Sequence, residues 1–325
     1  MITKLSFLKT TETNPYRNLA LEEYLLTDCR EGECILYLWQ NRSTVVIGRN
    51  QNCWKECHIH ELENDGGFLA RRLSGGGAVY HDLGNLNFTF LARKEDYDVD
   101  RQMDVIIRAM DLLGLYAQKT GRNDAVINGR KFSGNAFYRT GPFCYHHGTL
   151  LISADTEKMS QYLRVSVEKL QSKGVASVRS RVANLSEFCP QITVPLVSEH
   201  MRRAFCEIYS LPAADYDQSR LDTEKLCRLE DKFSSWEWKY GRAISFQHEF
   251  SRRFSWGEIQ IQLDVSKGVI QQAAVFSDAM DPLLSDTVAH ALRRQPYEQP
   301  ALLGAIRHLP AEIREDIKAL ILDSV

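Results

Sequence analysis

Two segments of the chain contain residue types suited to binding a phosphate group, and the first is residues 71–81, Arg-Arg-Leu-Ser-Gly-Gly-Gly-Ala-Val-Tyr-His. Glycines let backbone N–H groups approach an anion without a Cβ atom in the way, and arginine adds planar, permanently charged donors. No Gly-Lys-Ser/Thr follows, and Gly-x-Gly-x-x-Gly spacing is absent, which excludes a Walker A loop and a dinucleotide-binding loop. The segment predicts an anion site; a glycine hinge between strands is the alternative.

The second segment places Lys131 beside an Asn-Gly turn. Asn128-Gly129 separates two short β-rich runs, which predicts a two-residue hairpin over residues 125–132. Lys131 would then lie on a rigid strand, and a solvated surface lysine is the alternative. Asp124 precedes the turn with a carboxylate that could share Mg²⁺ with substrate phosphates, and Gly134 follows with room for close approach.

Segments along nearly the whole chain resemble the lipoate-protein ligase A and lipoyltransferase family. They occur in the family's order and are NLALEE (18–23), TVVIGRNQN (44–52), the 71–85 block ending HDLGN, GRND (121–124), KFSG (131–134), HHGTLL (146–151), KGVASVRSRVAN (173–184), WEW (236–238) and FSWG (254–257). The resemblance implies an α+β fold with a large mixed-sheet, biotin/lipoate ligase-like catalytic domain. It also implies a small α+β C-terminal accessory domain.

This resemblance implies an ATP-dependent ligase that activates free lipoate to lipoyl-AMP, releases pyrophosphate, and transfers the lipoyl group to a lysine of an apo lipoyl domain. The expected acceptors are acyltransferase subunits of 2-oxoacid dehydrogenases and the glycine cleavage H protein. A carboxylate is a poor electrophile, so a mixed anhydride must form before an amine can attack. Both steps gather negative charge on phosphate oxygens, so the chemistry needs fixed cations and backbone donors rather than a protein nucleophile.

The family motifs also imply residue roles. ATP or the adenylate would contact Arg72, Gly76, Gly77, Ala78, Val79, Tyr80, Lys131 and Arg179. Lipoate would lie against Ser74, His81, Asn85, Lys131, His147 and Thr149. Lys131 would be catalytic, Asp124 would be a Mg²⁺ ligand together with substrate phosphates, and residues 170–184 would form a loop that closes over the adenylate.

Two histidines follow a cysteine in Cys144-Tyr145-His146-His147. Zinc sites usually use two spaced pairs of ligands, and no second pair of that spacing occurs, which argues against a metal site. Neighbouring strand residues face opposite sides, so we expect His147 to line the lipoyl site and His146 to face away. Cys144 could be an acyl-carrying nucleophile, but no other feature supports this, and a buried inert thiol is our interpretation.

Alternating helical and β patterns must position these residues. Helices are predicted at 14–26, 104–116, 197–209 and 223–233, and strands at 35–39, 44–47, 68–72, 78–81, 86–91 and 145–153. After residue 245 a hairpin is predicted from strands at 259–265 and 269–276, followed by helices at 282–294 and 310–322. The predicted division is therefore a catalytic domain over residues 1–245 and an accessory domain over residues 246–325.

Composition limits the possible partners. The chain has 325 residues, 44% of them hydrophobic, and a formal net charge of -2. This balance gives no bulk attraction to nucleic acid or anionic membrane, so we expect neither as a partner. The apolar N-terminal stretch is too short for a signal peptide, no run of eighteen apolar residues occurs, and eight cysteines are scattered. These features predict a cytoplasmic protein with reduced thiols, and we expect a monomer.

Two other functions are compatible with parts of the sequence. One is a lipoyl or octanoyl transferase that uses preformed acyl-AMP or a carrier-bound acyl group; the accessory domain favours the complete ligase. The other is a non-catalytic scaffold that binds lipoyl domains, against which Lys131 and Arg72 argue, because a pure binder needs no phosphate-facing cations. A biotin ligase is disfavoured because its Gly-Arg-Gly-Arg-type loop is missing. Leu73 and Asn135 depart from the residues common in the family.

Overall fold

The computed structural model of the chain describes residues 1–121, 123–164, 182–241 and 244–325. Its strands are β1 (Lys4–Lys9), β2 (Glu33–Trp39), β3 (Thr44–Ile47), β4 (Phe68–Arg71), β5 (Val79–His81), β6 (Asn85–Arg93), β7 (Gln118–Thr120), β8 (Asp124–Ile127), β9 (Arg130–Thr140), β10 (Phe143–Leu151), β11 (Ala213–Asp215), β12 (His248–Phe254), β13 (Gly257–Ser266) and β14 (Val269–Ser277).

Helices alternate with these strands along the chain. They are α1 (Pro15–Asp28), α2 (Cys53–Glu56), α3 (Ile59–Asn64), α4 (Val99–Leu112), α5 (Thr156–Tyr162), α6 (Val194–Tyr209), α7 (Thr223–Ser234), α8 (Trp236–Tyr240), α9 (Leu284–Leu292), α10 (Gln299–Ala305) and α11 (Ala311–Ser324). Short 3₁₀ turns occur at Lys94–Asp96, Leu185–Glu187, Gln218–Arg220 and Ile306–His308. Within the described ranges, no helix is long and apolar enough to cross a membrane.

The chain divides into two compact units, each built from separate stretches. The first unit is Met1–Val46, Cys57–Arg71 and Ala78–Lys239, and the second is Ile47–Glu56, Arg72–Gly77 and Tyr240–Val325. A large mixed sheet dominates the first unit, and a small sheet with helices forms most of the second. The predicted α+β class is therefore confirmed. The predicted division at residues 245 and 246 stays a prediction.

The large sheet has the strand order β11-β1-β2-β6-β10-β9-β8-β7. β1 runs parallel to both β2 and β11. The other neighbouring pairs in this order, β2-β6, β6-β10, β10-β9, β9-β8 and β8-β7, are antiparallel. One face of the sheet packs against α4 and α6 in an apolar core that includes Phe88, Phe90, Ile106 and Phe205. α1 lies against the opposite face of the central strands.

Local signals explain where the first helices begin. Asn14 Oδ1 accepts a hydrogen bond from Tyr16 N (2.9 Å), and Pro15 occupies the first helical position of α1, as predicted. The helix predicted at 104–116 was misplaced, since α4 spans Val99–Leu112. Asp98 caps this helix by accepting a hydrogen bond from Arg101 N (3.0 Å), and a left-handed Gly114 (φ 73°) follows its end.

In the second unit, β12, β13 and β14 form an antiparallel sheet, and α9 packs against β14. Lys267 and Gly268 have φ values of 52° and 73°, so the predicted turn between β13 and β14 is confirmed. The sequence patterns missed β12 and α10. β12 is half-exposed and mostly polar, so it lacks the clean alternation by which a strand is recognised.

Candidate functional site

The hairpin that carries Lys131 forms as predicted. Asn128 and Gly129 have φ values of 51° and 76°, and two left-handed residues in succession make the primed turn that suits a twisted two-stranded ribbon. Ile127 pairs with Arg130 across the turn, and Val126 pairs with Lys131. Lys131 therefore lies on β9, one residue into the strand after the turn.

A β-bulge sets the direction in which Lys131 points. Ala125 pairs with Ser133 while Val126 pairs with Lys131, so Phe132 is an extra residue in β9. Without it, strand alternation would place Lys131 and Gly134 on opposite faces of the sheet, because they are three residues apart. The bulge brings them to the same face, and the Phe132 ring is buried in the apolar core on the other side.

Gly134 makes room for the Lys131 amine. A Cβ atom built on Gly134 would lie 2.7 Å from Lys131 Nζ and 2.9 Å from its Cε, closer than atoms pack. The amine crosses this space to Asp124, with Nζ 2.6 Å from Oδ1, and both side chains keep about a quarter of their surface exposed. A fixed cation at the edge of solvent is what anion chemistry requires.

The chain returns to Lys131 after the segment 165–181, which lies outside the described residues. Ala183 N donates to Lys131 O (2.8 Å), and Val182 forms a parallel bridge with Lys131. Arg130 donates to Val182 O (2.8 Å) and to Glu187 Oε2 (2.7 Å). The loop expected to close over the adenylate spans residues 170–184, most of which belong to this segment, and Arg179 belongs to it as well. The predictions for the closing loop and for Arg179 therefore lie outside the described residues.

A row of residues extends from Lys131 across the face of the large sheet. Register pairs Asp124 with Gly134, Gly134 with Thr149, Thr149 with Asn87, and Asn87 with Trp39. Residues directly opposite each other in antiparallel strands share a face, so all five side-chain positions are on one side. Adjacent strands are about 4.8 Å apart, which makes the row about 19 Å long. We call it the cross-strand row.

A buried polar network lies beside this row. Glu22 Oε1 accepts hydrogen bonds from His147 Nδ1 (2.8 Å) and Thr89 Oγ1 (2.7 Å), and Thr89 Oγ1 in turn accepts one from Trp39 Nε1 (3.1 Å). Glu22 is 1% exposed, so these donors replace the water that its carboxylate loses on burial. The network fixes the His147 ring and Trp39 indole on the face that carries Lys131.

Helix α1 extends the network to His81. Asn18, one turn before Glu22, donates from Nδ2 to Asn41 Oδ1 (3.0 Å), and Asn41 Nδ2 donates to His81 Nδ1 (3.2 Å). The His81 ring lies edge-on to Trp39, with 6.2 Å between ring centroids. Sequence analysis missed Asn18, Glu22, Thr89 and Trp39 as candidates. The available signal was a pair of polar residues four apart, which lie on one side of the helix.

His146 faces the opposite side of the sheet from His147. Its Nε2 is 2.8 Å from Asn135 Oδ1, and its ring packs against Phe88, Phe90 and Phe137. Burial lowers the pKa of His146 to about 3, so the imidazole is neutral at physiological pH. Asn135 ties the hairpin together, because its N and Nδ2 both donate to Asn123 O, at 2.9 and 3.0 Å.

Cys144 has the properties of an inert thiol. It is 1% exposed, and burial raises the pKa of its thiol, which disfavours the thiolate that a nucleophile requires. Within the part of the chain that the structure describes, no three His, Cys, Asp or Glu residues are grouped to hold a metal ion. The interpretation against a zinc site stays a prediction.

The glycine segment is part of the second unit and is closely packed there. Arg72 Nε donates to Ser74 Oγ (3.0 Å), and Nη2 donates to the carbonyls of Gly75 (2.7 Å) and Gly77 (2.8 Å). Gly76 N donates to Ala279 O (3.0 Å), and a Cβ on Gly75 would lie 2.4 Å from the same oxygen. These glycines permit close backbone packing, and Arg72 braces the segment they form. The expected contacts of Arg72, Ser74, Gly76 and Gly77 with ligands stay predictions.

Arg71, the other arginine of this segment, belongs to the first unit. Its Nη2 donates to Lys239 O (2.6 Å) and its Nε to Trp238 O (3.0 Å), while Trp238 Nε1 donates back to Arg71 O (2.8 Å). The side chain is 2% exposed. Arg71 therefore holds β4 to the end of α8 by hydrogen bonds and has a structural role.

The remaining predicted residues lie in or next to β5 and at the start of β6. Tyr80 is buried, with its hydroxyl 3.3 Å from Ser43 Oγ and its ring 5.6 Å from that of Tyr162. The expected contact of Tyr80 with a nucleotide stays a prediction. Ala78 and Val79 are half-buried. Asn85 begins β6 on the same face as Asn87, and is completely buried.

Comparisons of the sequence with family models and with curated proteins all match lipoate-protein ligases. The sequence model of the lipoyl protein ligase A/B catalytic domain matches residues 14–206, and that of the bacterial lipoate protein ligase C-terminus matches residues 243–322. A lipoate-protein ligase A from Psychrobacter cryohalolentis is 41% identical over 304 residues, 91% of this chain and 90% of that protein. One from Blochmanniella pennsylvanica is 39% identical over 310 residues, 92% and 91% of the two chains.

Solved structures show the same relationship. P. falciparum LipL1, in complex with lipoate, superposes with a TM-score of 0.86 over 98% of this chain and 99% of its own, at 28% identity. A lipoate-protein ligase A bound with ATP gives a TM-score of 0.62 at 26% identity, covering 74% of this chain and 99% of its own. From sequence and structure together, this chain belongs to the lipoate-protein ligase A family.

Proposed function

We propose that this lipoate ligase forms lipoyl-AMP beside Lys131 and then transfers the lipoyl group to a lysine of a lipoyl domain. The observation that carries the proposal is the Lys131 amine, fixed over Gly134 and beside Asp124 at one end of the cross-strand row. The row supplies a partly buried polar and aromatic surface for an acyl chain, and the amine supplies a cation for its carboxylate and for phosphate.

In the first step, a lipoate carboxylate oxygen attacks the α-phosphorus of ATP, and the bond to pyrophosphate breaks. Lys131 holds the carboxylate and the α-phosphate in attacking geometry and offsets negative charge that grows on the phosphate oxygens. Asp124 holds the Lys131 amine from the other side at 2.6 Å. The cation is therefore positioned before either substrate binds.

In the second step, the ε-amine of the acceptor lysine attacks the acyl carbon, and the bond to AMP breaks. Negative charge moves onto the former carbonyl oxygen in the tetrahedral intermediate, where the Lys131 cation offsets it. One protein cation thus serves both steps, and no protein nucleophile is needed.

The acyl chain is assigned to the buried face of the sheet. The predicted lipoate-binding residues are Ser74, His81, Asn85, Lys131, His147 and Thr149. The Glu22–Thr89–Trp39 network adds the indole face of Trp39 as an apolar wall. A wall whose rings are held by buried hydrogen bonds loses little entropy when it binds a flexible chain.

The nucleotide is assigned to Arg72, Gly76, Gly77, Ala78, Val79, Tyr80, Lys131 and Arg179. Mg²⁺ is expected to arrive with ATP, and we assign Asp124 as its carboxylate ligand, since such ions take one or two carboxylates plus substrate phosphates. Mg²⁺ bound there would neutralise phosphate charge. An Asp124→Asn variant that needs more Mg²⁺ for half-maximal activity would support this role; an unchanged requirement would contradict it.

The acceptors are assigned as lipoyl domains. A bi-partite lipoate protein ligase from Thermoplasma acidophilum, studied with its E2 lipoyl domain, has a TM-score of 0.64 to this chain at 29% identity, over 75% of this chain and 98% of its own. We extend this to apo lipoyl domains of 2-oxoacid dehydrogenase complexes and glycine cleavage H protein. We assign the chain to a reducing cytoplasm, in which its eight cysteines would remain thiols, as they are in the structure. We also propose that it is a monomer. Catalysis is assigned to residues 1–245 and an accessory role to residues 246–325.

The deciding experiment measures pyrophosphate release from MgATP with and without lipoate, then adds an apo lipoyl domain and records its mass. Lipoate-dependent release together with the mass gain of one lipoyl group is the expected result. No release, but modification when synthetic lipoyl-AMP is supplied, would make the chain a transferase that depends on another activating enzyme. No modification in either case would contradict both functions.

A further inference from the structure

Two buried asparagines on β6 leave part of their hydrogen-bonding capacity unused. Asn85 Nδ2 donates to Asn87 Oδ1 (2.9 Å), and the two residues are 0% and 1% exposed. Across the described residues, Asn85 Oδ1 and Asn87 Nδ2 have no hydrogen-bond partner. Buried amide groups are nearly always satisfied, so an acceptor and a donor left side by side need an explanation.

The position of Asn87 supplies one. Asn87 is the member of the cross-strand row between Thr149 and Trp39, two strands from Gly134 and the Lys131 amine above it. Two strand spacings are about 10 Å. An extended lipoyl chain whose carboxylate is at Lys131 would cover this distance with its methylenes and bring its dithiolane ring to the level of Asn87.

We infer that Asn87 is a specificity-determining residue, whose Nδ2 donates to a sulfur of the dithiolane ring. This inference rests on the proposed function, since it assigns the acyl chain to the cross-strand row. Sulfur is a weak acceptor, yet it satisfies a buried donor better than a methylene does. Octanoate, a plain alkyl chain of matching length, would cover the same donor and leave it without a partner, which is costly in a dry site.

The test compares lipoate with octanoate as substrates for adenylate formation. Asn87→Leu keeps a similar side-chain shape but removes the donor, so the ratio of kcat/KM for lipoate over that for octanoate should fall about tenfold. Calorimetric Kd values without ATP should show a shift in the same direction. Asn64→Leu makes the same chemical change on the exposed end of α3 and should leave the ratio unchanged.

A donor-retaining variant separates hydrogen bonding from shape. Asn87→Ser keeps a hydroxyl donor in a smaller side chain and should recover part of the preference for lipoate. If Asn87→Leu does not fold, as judged by circular dichroism, Asn87→Ala is measured in its place. An unchanged ratio in a folded variant would overturn the inference and leave the asparagine pair a structural feature with bound water. Inactivity of the wild-type chain on lipoate and ATP would instead count against the proposed function.

Discussion

His146 and His147 are neighbours on one strand, yet they belong to different chemical environments. His146 lies among phenylalanine rings on the apolar face of the large sheet, and burial lowers its pKa to about 3. His147 lies on the face covered by α1, where its Nδ1 bonds to the buried Glu22 carboxylate (2.8 Å). The same residue type serves packing on one face and a polar network on the other.

The difference originates in the helices that cover each face. α4 and α6 contribute apolar side chains, including Ile106 and Phe205, to one side of the sheet. α1 contributes Asn18 and Glu22, both completely buried, to the other. Substitutions on the α1 face should therefore change catalysis or ligand binding, with or without a loss of stability, and those on the α4 and α6 face should change stability alone.

The largest effect is expected at Lys131, at the end of the cross-strand row. Lys131→Ala removes the cation that offsets charge on the phosphate oxygens, so lipoyl-AMP formation should slow by roughly 10²- to 10³-fold, about 3 to 4 kcal/mol. Stopped assays of lipoyl-AMP by mass spectrometry would measure it, with a melting curve to verify folding. Lys119→Ala, which removes an ion-paired surface lysine two strands away, is the control. Wild-type turnover by Lys131→Ala would refute the assignment.

Gly134→Ala tests whether the position of the amine, and not merely its charge, matters. A Cβ at 2.7 Å from Nζ would push the amine from its place, and misplacement by about 1 Å can cost on the order of 10²-fold in rate. The measurement is kcat for pyrophosphate release. Gly304→Ala is a matched control, because a Cβ there meets nothing within 4 Å. Equal kcat values for Gly134→Ala and wild type would show that the space above Gly134 is not needed.

Some of this arrangement was predictable from sequence. Asn128-Gly129 predicted the hairpin because both positions favour left-handed backbone, and Lys131 was placed on its strand correctly. The bulge at Phe132 was not predictable, since one extra residue leaves no compositional mark. A prediction from strict strand alternation, which ignores the bulge, would assign Lys131 and Gly134 to opposite faces of the sheet.

The polar network was harder to predict for a different reason. Glu22 was part of a recognised motif, but its partners His147 and Thr89 are 125 and 67 residues away in sequence. Only the pairing of β2, β6 and β10 brings them under α1. The glycine segment also depends on a distant partner. Its composition predicted an anion site, whereas its packing involves Ala279, which lies 203 positions after Gly76 in sequence.

Thr89→Val measures what the network contributes to the α1 face. Valine has nearly the same shape but leaves Glu22 with one donor fewer and Trp39 Nε1 without its acceptor. The free energy of unfolding should fall by about 1 to 3 kcal/mol, and KM for lipoate should rise as the Trp39 ring loses its position. Chemical denaturation and initial rates are the measurements. Thr140→Val on the exposed end of β9 is the control, and equal stability of the two variants would argue against the network.

The smallest effect on catalysis is expected from His146→Gln, which should instead change how stability depends on pH. In the folded chain this imidazole stays neutral down to a pKa of about 3, whereas the unfolded chain binds its proton near pH 6.5. Between these values the unfolded state holds more protons, so stability falls as the pH falls, by at most about 1.4 kcal/mol per pH unit for this group.

Glutamine keeps an amide donor for Asn135 Oδ1 but does not titrate, so the variant should lose less stability than wild type between pH 6.5 and 4. Denaturant unfolding at half-unit pH steps measures the two slopes, and His60→Gln on exposed α3 controls for the substitution itself. Glu33, whose pKa lies at about 2 because Arg220 and Ser6 stabilise its carboxylate against the effect of burial, adds its own loss below pH 4.5 in every variant. Parallel slopes for wild type and His146→Gln would mean that the imidazole takes up its proton in the folded chain, and the apolar face would then differ less from the α1 face than its packing indicates.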